Sequence, residues 1–104
     1  MKELPKYILN FALWKVVGVD HVPRESGVYV ILGRIPSSQT YDIIYIGSSK
    51  CLERRLHRHP IILKHSDEWG VKTRIHFIEF DDYLLLEKEM IKRHSPLANK
   101  QHNG

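Results

Sequence analysis

The chain has 104 residues, enough for one modest core and too few for a second. With 42% hydrophobic and 27% charged residues it has the composition of a soluble globular protein, and no stretch is long and apolar enough to span a bilayer. Sixteen Lys and Arg against twelve Asp and Glu leave +4 with histidines neutral, which favours a polyanionic partner. The single cysteine, Cys51, excludes an intramolecular disulfide and makes the cytoplasm the default compartment.

No repeat, low-complexity run or composition shift divides the chain. The expectation is therefore one domain over 1–104, with a lead-in at 1–26, a core at 27–99 and a polar tail at 100–104. Tyr7 to Val19 comes after Lys2 and Lys6 as the apolar region of a signal peptide would. It contains Asn10, Trp14 and Lys15, however, and lacks a small-x-small cleavage site, so it reads as part of the fold. Tyr7 to Val17 is apolar without a clear period, and Pro23 and Ser26-Gly27 mark a break before the next element.

Gly27 to Leu32 is β-branched and aromatic between two glycines, which predicts a strand. A loop at Arg34 to Gln39, with Pro36 and two serines, leads to a second strand at Tyr41 to Ile46, ending at Gly47. So short a connection predicts an antiparallel hairpin. Ser48 and Ser49 then offer capping hydroxyls, and Lys50 to His59 reads as a helix stopped by Pro60. Val71 to Phe80 predicts a third strand, because Val71, Thr73, Ile75 and Phe77 alternate with Lys72, Arg74 and His76. Asp81 or Asp82 can cap a helix from Tyr83 to about His94, ending before Pro96. The order β-β-α-β-α predicts an α+β domain, a small three-stranded antiparallel sheet flanked by helices.

Projecting each helix at roughly 100° per residue exposes two anomalies. In the later helix Tyr83, Leu86, Met90 and Ile91 form the apolar stripe, and Glu87 falls inside it while Lys88, Glu89 and Lys92 point away. A carboxylate in that position needs a counter-ion, hydrogen bonds or a metal, so it is either a structural ion pair or a site residue. In the earlier helix Leu52 and Leu56 point inward, with Cys51, Arg55 and His59 beside them and Lys50, Glu53, Arg54 and His57 facing away. The plain reading is that Arg55 covers the core edge and His59 caps the helix C-terminus. Lys50, Arg54 and Arg58 form a solvated basic face that could still touch phosphates. His57, His59 and His65 match no zinc-ligand spacing.

Four motifs occur in order: Gly27-Val28-Tyr29; Tyr45-Ile46-Gly47; the run from Gly47 through Leu52-Glu53-Arg54-Arg55-Leu56 to His59; and Glu87, Ile91-Lys92, Pro96 and Asn99. Together they resemble the GIY-YIG nuclease family. The resemblance implies a DNA endonuclease that hydrolyses phosphodiester bonds with one divalent cation, Mg²⁺ or Mn²⁺. It implies that Glu87 binds the metal, that Arg55 contacts the scissile phosphate, and that Tyr29 and Tyr45 lie beside the attacking water, one of them, preferentially Tyr29, taking its proton. Asn99 would help hold the site, and His59 would support it or contact phosphate. Gly47, Ser48, Lys50, Arg54 and Arg58 would be supporting or DNA-contacting positions.

The chemistry calls for these residue types. Negative charge that develops on the phosphate must meet fixed positive charge, which a permanently charged planar guanidinium supplies. A hard ion such as Mg²⁺ accepts one or two carboxylates and keeps waters, so one glutamate suffices. An unperturbed tyrosine titrates near 10 and is a poor base unless a metal, Arg55 or Lys50 lowers it. The spacing from Tyr29 to Tyr45 is longer than is usual in the family, and Ser48 stands where excision-repair members have lysine. DNA specificity would then come from the lead-in, the Arg34 loop, a partner protein or a second copy of the chain. The alternative is a module that keeps the fold and binds nucleic acid without cutting it. Repair, restriction and mobile-element processing would all use the same chemistry.

Overall fold

A computed structural model describes residues 4–16, 22–34, 40–57, 59, 60, 73–96 and 99. Two 3-10 turns, Lys6–Leu9 and Phe11–Leu13, lead into β1 (Lys15–Val16). Next along the chain come β2 (Gly27–Gly33), β3 (Asp42–Ser49), α1 (Leu52–Leu56), β4 (Thr73–Glu79) and α2 (Tyr83–His94). All strand pairs are antiparallel, in the spatial order β1-β4-β2-β3.

The α+β class holds, but the sheet has four strands where the sequence predicts three. The extra strand comes from the lead-in: Lys15 pairs with Phe77 and Val16 with His76. Two residues are too few to show the alternation that marks a strand in sequence. The lead-in also explains a second difference. The alternation in β4 assigns His76 to a polar face, yet His76 is buried. The N-terminal segment lies over that face, and the His76 Nδ1–H donates to the Phe11 carbonyl at 2.9 Å, with the Phe11 ring edge-on to both His76 and His94.

Every residue of β2 is buried, because the sheet is covered on both sides. One side holds Tyr29, Ile31, Ile44, Ile75 and Phe77 under Leu52 and Leu56 of α1. The other holds Val28, Val30, Leu32 and Ile46 under Leu86 and Met90 of α2, together with Ile8 and Trp14 of the lead-in. Each such side chain, fully buried, contributes about 1.5–3 kcal/mol, which makes these two layers the main source of stability.

The first helix is shorter than its sequence suggests. Lys50 and Cys51 precede it, Cys51 is extended, and the chain is extended again at His57. Its opening is set by tertiary contacts: the Leu52 and Glu53 N–H groups donate to the carbonyls of Glu25 (2.9 Å) and Pro23 (3.1 Å), a need that a longer helix would meet by side-chain caps. Ser49 Oγ takes the Cys51 N–H at 3.0 Å, fixing the turn from β3 into α1. The second helix runs over the predicted span and stops at Ser95, which adopts a left-handed conformation (φ 44°) and donates its N–H to Ile91. Val71 and Lys72, predicted to open the third strand, and the tail at 100–104 lie outside the described residues.

Candidate active site

Antiparallel register places Tyr29 opposite Gly47 and Ile31 opposite Tyr45, so the two tyrosines share one side of the sheet. The register then slips between Ile31 and Leu32, leaving Ile44 and Tyr45 together opposite Ile31. This bulge turns both toward α1, and Tyr45 packs against the cluster that contains Tyr29 and Ile44. Gly47 is required by close approach. A Cβ there would collide with the Tyr29 hydroxyl and its ring carbon and stand 2.9 Å from Cε2 of Tyr45.

The Tyr29 hydroxyl lies 2.9 Å from Nε2 of His59 and is also hydrogen-bonded to Arg55, which donates to the Tyr45 hydroxyl as well. The His59 ring stands 5.6 Å from Tyr29 and 5.3 Å from Tyr45, and the tyrosine rings are 6.2 Å apart. His59 is 2% exposed, so it is no helix cap: α1 ends three residues earlier, and the extended chain at His57 carries the imidazole in under the phenols. Arg55 acts to lower the Tyr29 pKa, but burial outweighs it and holds the phenol well above its ordinary 10.0. That shift opposes the lowering expected of a tyrosine base. The two tyrosines in turn reinforce the Arg55 charge.

Glu87 approaches from the opposite side of β3, the edge strand of the sheet. It is half-buried, as its place in the stripe of α2 predicts. Burial pushes its carboxyl above 4.5, resisted by hydrogen bonds from the hydroxyl and backbone of Ser48 and by the charge of Arg55. Ser48 pairs with Val28, whose side chain belongs to the α2 layer, so the serine hydroxyl faces the helix. Tyr29, Tyr45, Arg55, His59, Ser48 and Glu87 are thereby gathered around the Gly47 segment of one edge strand. Helical projection could flag Glu87 and Arg55 separately, but it could not reveal that they act on each other across β3.

Asn99 closes the free edge. Its Oδ1 accepts the Ile46 N–H at 2.8 Å and its Nδ2 donates to the Ile46 carbonyl at 2.9 Å, all of it buried. The amide thus replaces a neighbouring strand at the residue between Tyr45 and Gly47. Asn99→Ala is expected to leave two buried backbone groups unpaired and to cost about 2–4 kcal/mol, at 1–3 kcal/mol per orphaned group. Urea titration of the two proteins measures this directly. Asn99→Asp, which keeps the acceptor and loses the donor, is expected to be destabilised too, because its carboxylate would face the Ile46 carbonyl.

Other predicted positions lie further out. Lys50 is exposed at the β3–α1 turn and does not act on Tyr29. Arg58 and His65 fall outside the described residues. Arg54 is exposed, as projection predicts, yet it shares with Ser49, Arg55, His57 and Pro60 a shallow depression of about 360 Å³. A larger cavity of about 580 Å³ lies elsewhere. It is lined by Glu25, Glu79, Asp81 and Asp82 with Leu4, Ser26 and Phe80, and its four carboxylates would repel a polyanion. No helix among the described residues is long and apolar enough to cross a membrane.

No protein-family model and no curated protein matches the sequence. Solved structures do. The chain is similar to the GIY-YIG N-terminal endonuclease domain of UvrC from Thermotoga maritima bound to magnesium as its catalytic divalent cation. The identity is 25%, 78% of this chain and 90% of that one are covered, and the TM-score is 0.52. A tyrosine-to-phenylalanine point mutant of the same domain, also bound to its catalytic divalent cation, matches at 25% identity with a TM-score of 0.51, over 78% and 89% of the two chains. The architecture is therefore that of a metal-dependent nuclease domain. More particularly, the chain carries the GIY-YIG domain.

Proposed function

We propose that this chain is a metal-dependent endonuclease that hydrolyses phosphodiester bonds in DNA. The observation that carries the reading is a single cluster: a buried phenol bonded to both a guanidinium and an imidazole, with a half-buried carboxylate acting on the same guanidinium across an edge strand. The donor set suits Mg²⁺. It offers one carboxylate and hydroxyl oxygens, and no group of three His, Cys, Asp or Glu among the described residues could form a zinc-like cage. Glu87 would hold the ion, and Mn²⁺ would suit the same ligands. When bound, the ion supplies Lewis-acid polarisation of the phosphate and stabilises the leaving oxygen.

The chain's own residues do the rest. Arg55 directs its N–H groups at the non-bridging phosphate oxygens and meets the charge that develops there. Tyr29 is too strongly held in its protonated form to act as a free phenolate, so it works as a relay. Its oxygen takes the proton of the attacking water while its own proton passes to Nε2 of His59, 2.9 Å away. Tyr45, bonded to Arg55, orients the water or the phosphate. Asn99 keeps the strand that carries Tyr45 and Gly47 in place.

The test is conversion of supercoiled DNA to nicked or linear forms with Mg²⁺ and with EDTA, using the wild type, Tyr29→Phe and Tyr45→Phe. Cleavage should require the metal, and Tyr29→Phe should lose about 10²–10⁴-fold in rate, the range for removing an acid/base group. Wild-type rates in both tyrosine variants would remove tyrosine from the mechanism, and cleavage that persists in EDTA would remove the metal. Binding without any cleavage would instead fit a nucleic-acid-binding module that keeps the nuclease fold.

A further inference from the structure

At the other end of the β2–β3 hairpin, two arginines gather on one tyrosine. Arg74, the second residue of β4, has its guanidinium carbon 4.6 Å from the centre of the Tyr41 ring, and Arg34, just past β2, lies 5.9 Å from the same centre. Both distances are within the roughly 6 Å reach of a cation–π contact. Tyr41 is half-buried against the α2-side core, which fixes the ring, and Arg74 is exposed.

We infer that Arg34, Tyr41 and Arg74 form a second DNA-binding site, one that grips a backbone phosphate flanking the scissile one. Three observations carry it. Two like charges drawn to one ring repel each other, and an anion between them relieves that cost. Among the described residues neither guanidinium has a carboxylate partner: the ion pairs run Lys15 to Glu79, Arg24 to Glu53 and Arg93 to Glu89, and the nearby, exposed Asp42 pairs with neither arginine. Stacking on a ring also leaves the N–H edge of a guanidinium free to donate in its own plane, the geometry that suits phosphate.

The position fits the same duplex. Arg74 is opposite Leu32 and Ser48 is opposite Val28, both on the α2 side of the sheet. Four residues of β2 separate them, about 13 Å at ~3.3 Å per residue, or roughly four nucleotides of one strand. The site goes beyond the catalytic cluster but rests on the reading that the substrate is DNA.

The experiment measures duplex-DNA affinity by fluorescence anisotropy in EDTA, which stops cleavage, over a salt series. It compares the wild type, Arg34→Gln/Arg74→Gln and Tyr41→Leu, with thermal melts of each protein. The double variant is expected to bind about tenfold more weakly, and the slope of log K against log salt should become shallower by about 2, near 0.9 per lost phosphate contact. Its melting temperature and its rate at saturating DNA should match the wild type. Tyr41→Leu, which removes no charge, should weaken binding as well. Wild-type affinity and slope in the double variant overturn the site, and a fall in melting temperature with unchanged binding shows the stack to be structural only. Failure of the nuclease reading looks different: the arginines would still control binding while no variant, nor the wild type, cut DNA.

Discussion

Glu87→Gln is expected to abolish metal-dependent cleavage, by at least about 10²–10³-fold, while making the metal-free protein more stable near neutral pH. The two effects share one cause. Burial raises the Glu87 carboxyl above 4.5 despite Ser48 and Arg55, so the ionised side chain is a burden on the empty site. Because the folded state holds that proton more tightly than the unfolded state, stability falls as pH rises from 4.5 through the folded pKa, and the full penalty remains above it. Glutamine escapes the penalty and can still accept from Ser48. Its advantage in melting temperature should therefore be greatest at neutral pH and vanish below pH 4.5. Adding Mg²⁺ should raise the melting temperature of the wild type and leave Glu87→Gln unmoved, because only an ion held by the folded state contributes. A variant that cuts at the wild-type rate, or that melts higher with Mg²⁺ as the wild type does, would refute the metal assignment.

Arg55→Lys is expected to lose about 10²–10³-fold in cleavage rate although the positive charge is kept. Arg55 reaches both phenols at once, and a planar fork can do so while presenting further N–H groups to a phosphate. An ammonium on a flexible stem cannot hold that pattern. Arg55 is an exposed residue on a short helix, so stability should change little, within about 0.5 kcal/mol. The loss should therefore appear in cleavage kinetics and not in a melting curve. Arg55→Ala should fall further and be partly restored by guanidinium added at millimolar concentration, whereas Arg55→Lys should gain nothing from it. Equal rates in Arg55→Lys and the wild type would reduce Arg55 to a bystander charge.

The elements legible in the sequence are those whose pattern is local. The alternation and flanking glycines of Gly27–Gly33, the stripe of Tyr83–His94 and the inward turn of Glu87 are written in the residues themselves, because a period of 2 or 3.6 needs no distant partner. The same holds for the pairing of the two tyrosine-bearing strands, which the short connection enforces. The first helix is shorter than its local pattern because its N-terminal N–H groups are taken by Glu25 and Pro23, twenty-seven or more residues upstream in sequence, and no spacing announces such a contact. The fourth strand and the burial of His76 are illegible for a related reason: both depend on the lead-in folding back over β4.

By itself, then, the sequence determined which side chains carry the chemistry: Tyr29, Tyr45, Arg55 and Glu87 are marked by their motifs, and the two helical anomalies are marked by geometry as well. Tertiary structure alone decided how these groups act on one another. It turned His59 from a helix-end cation into the partner of the Tyr29 hydroxyl, raised that phenol where lowering was expected, and set Asn99 against Ile46. The physical reason is that identity and periodicity are properties of neighbours along the chain. Desolvation and hydrogen bonding are properties of neighbours in space, and they exist only once the bulge in β3 and the bare Cα of Gly47 have let those neighbours meet.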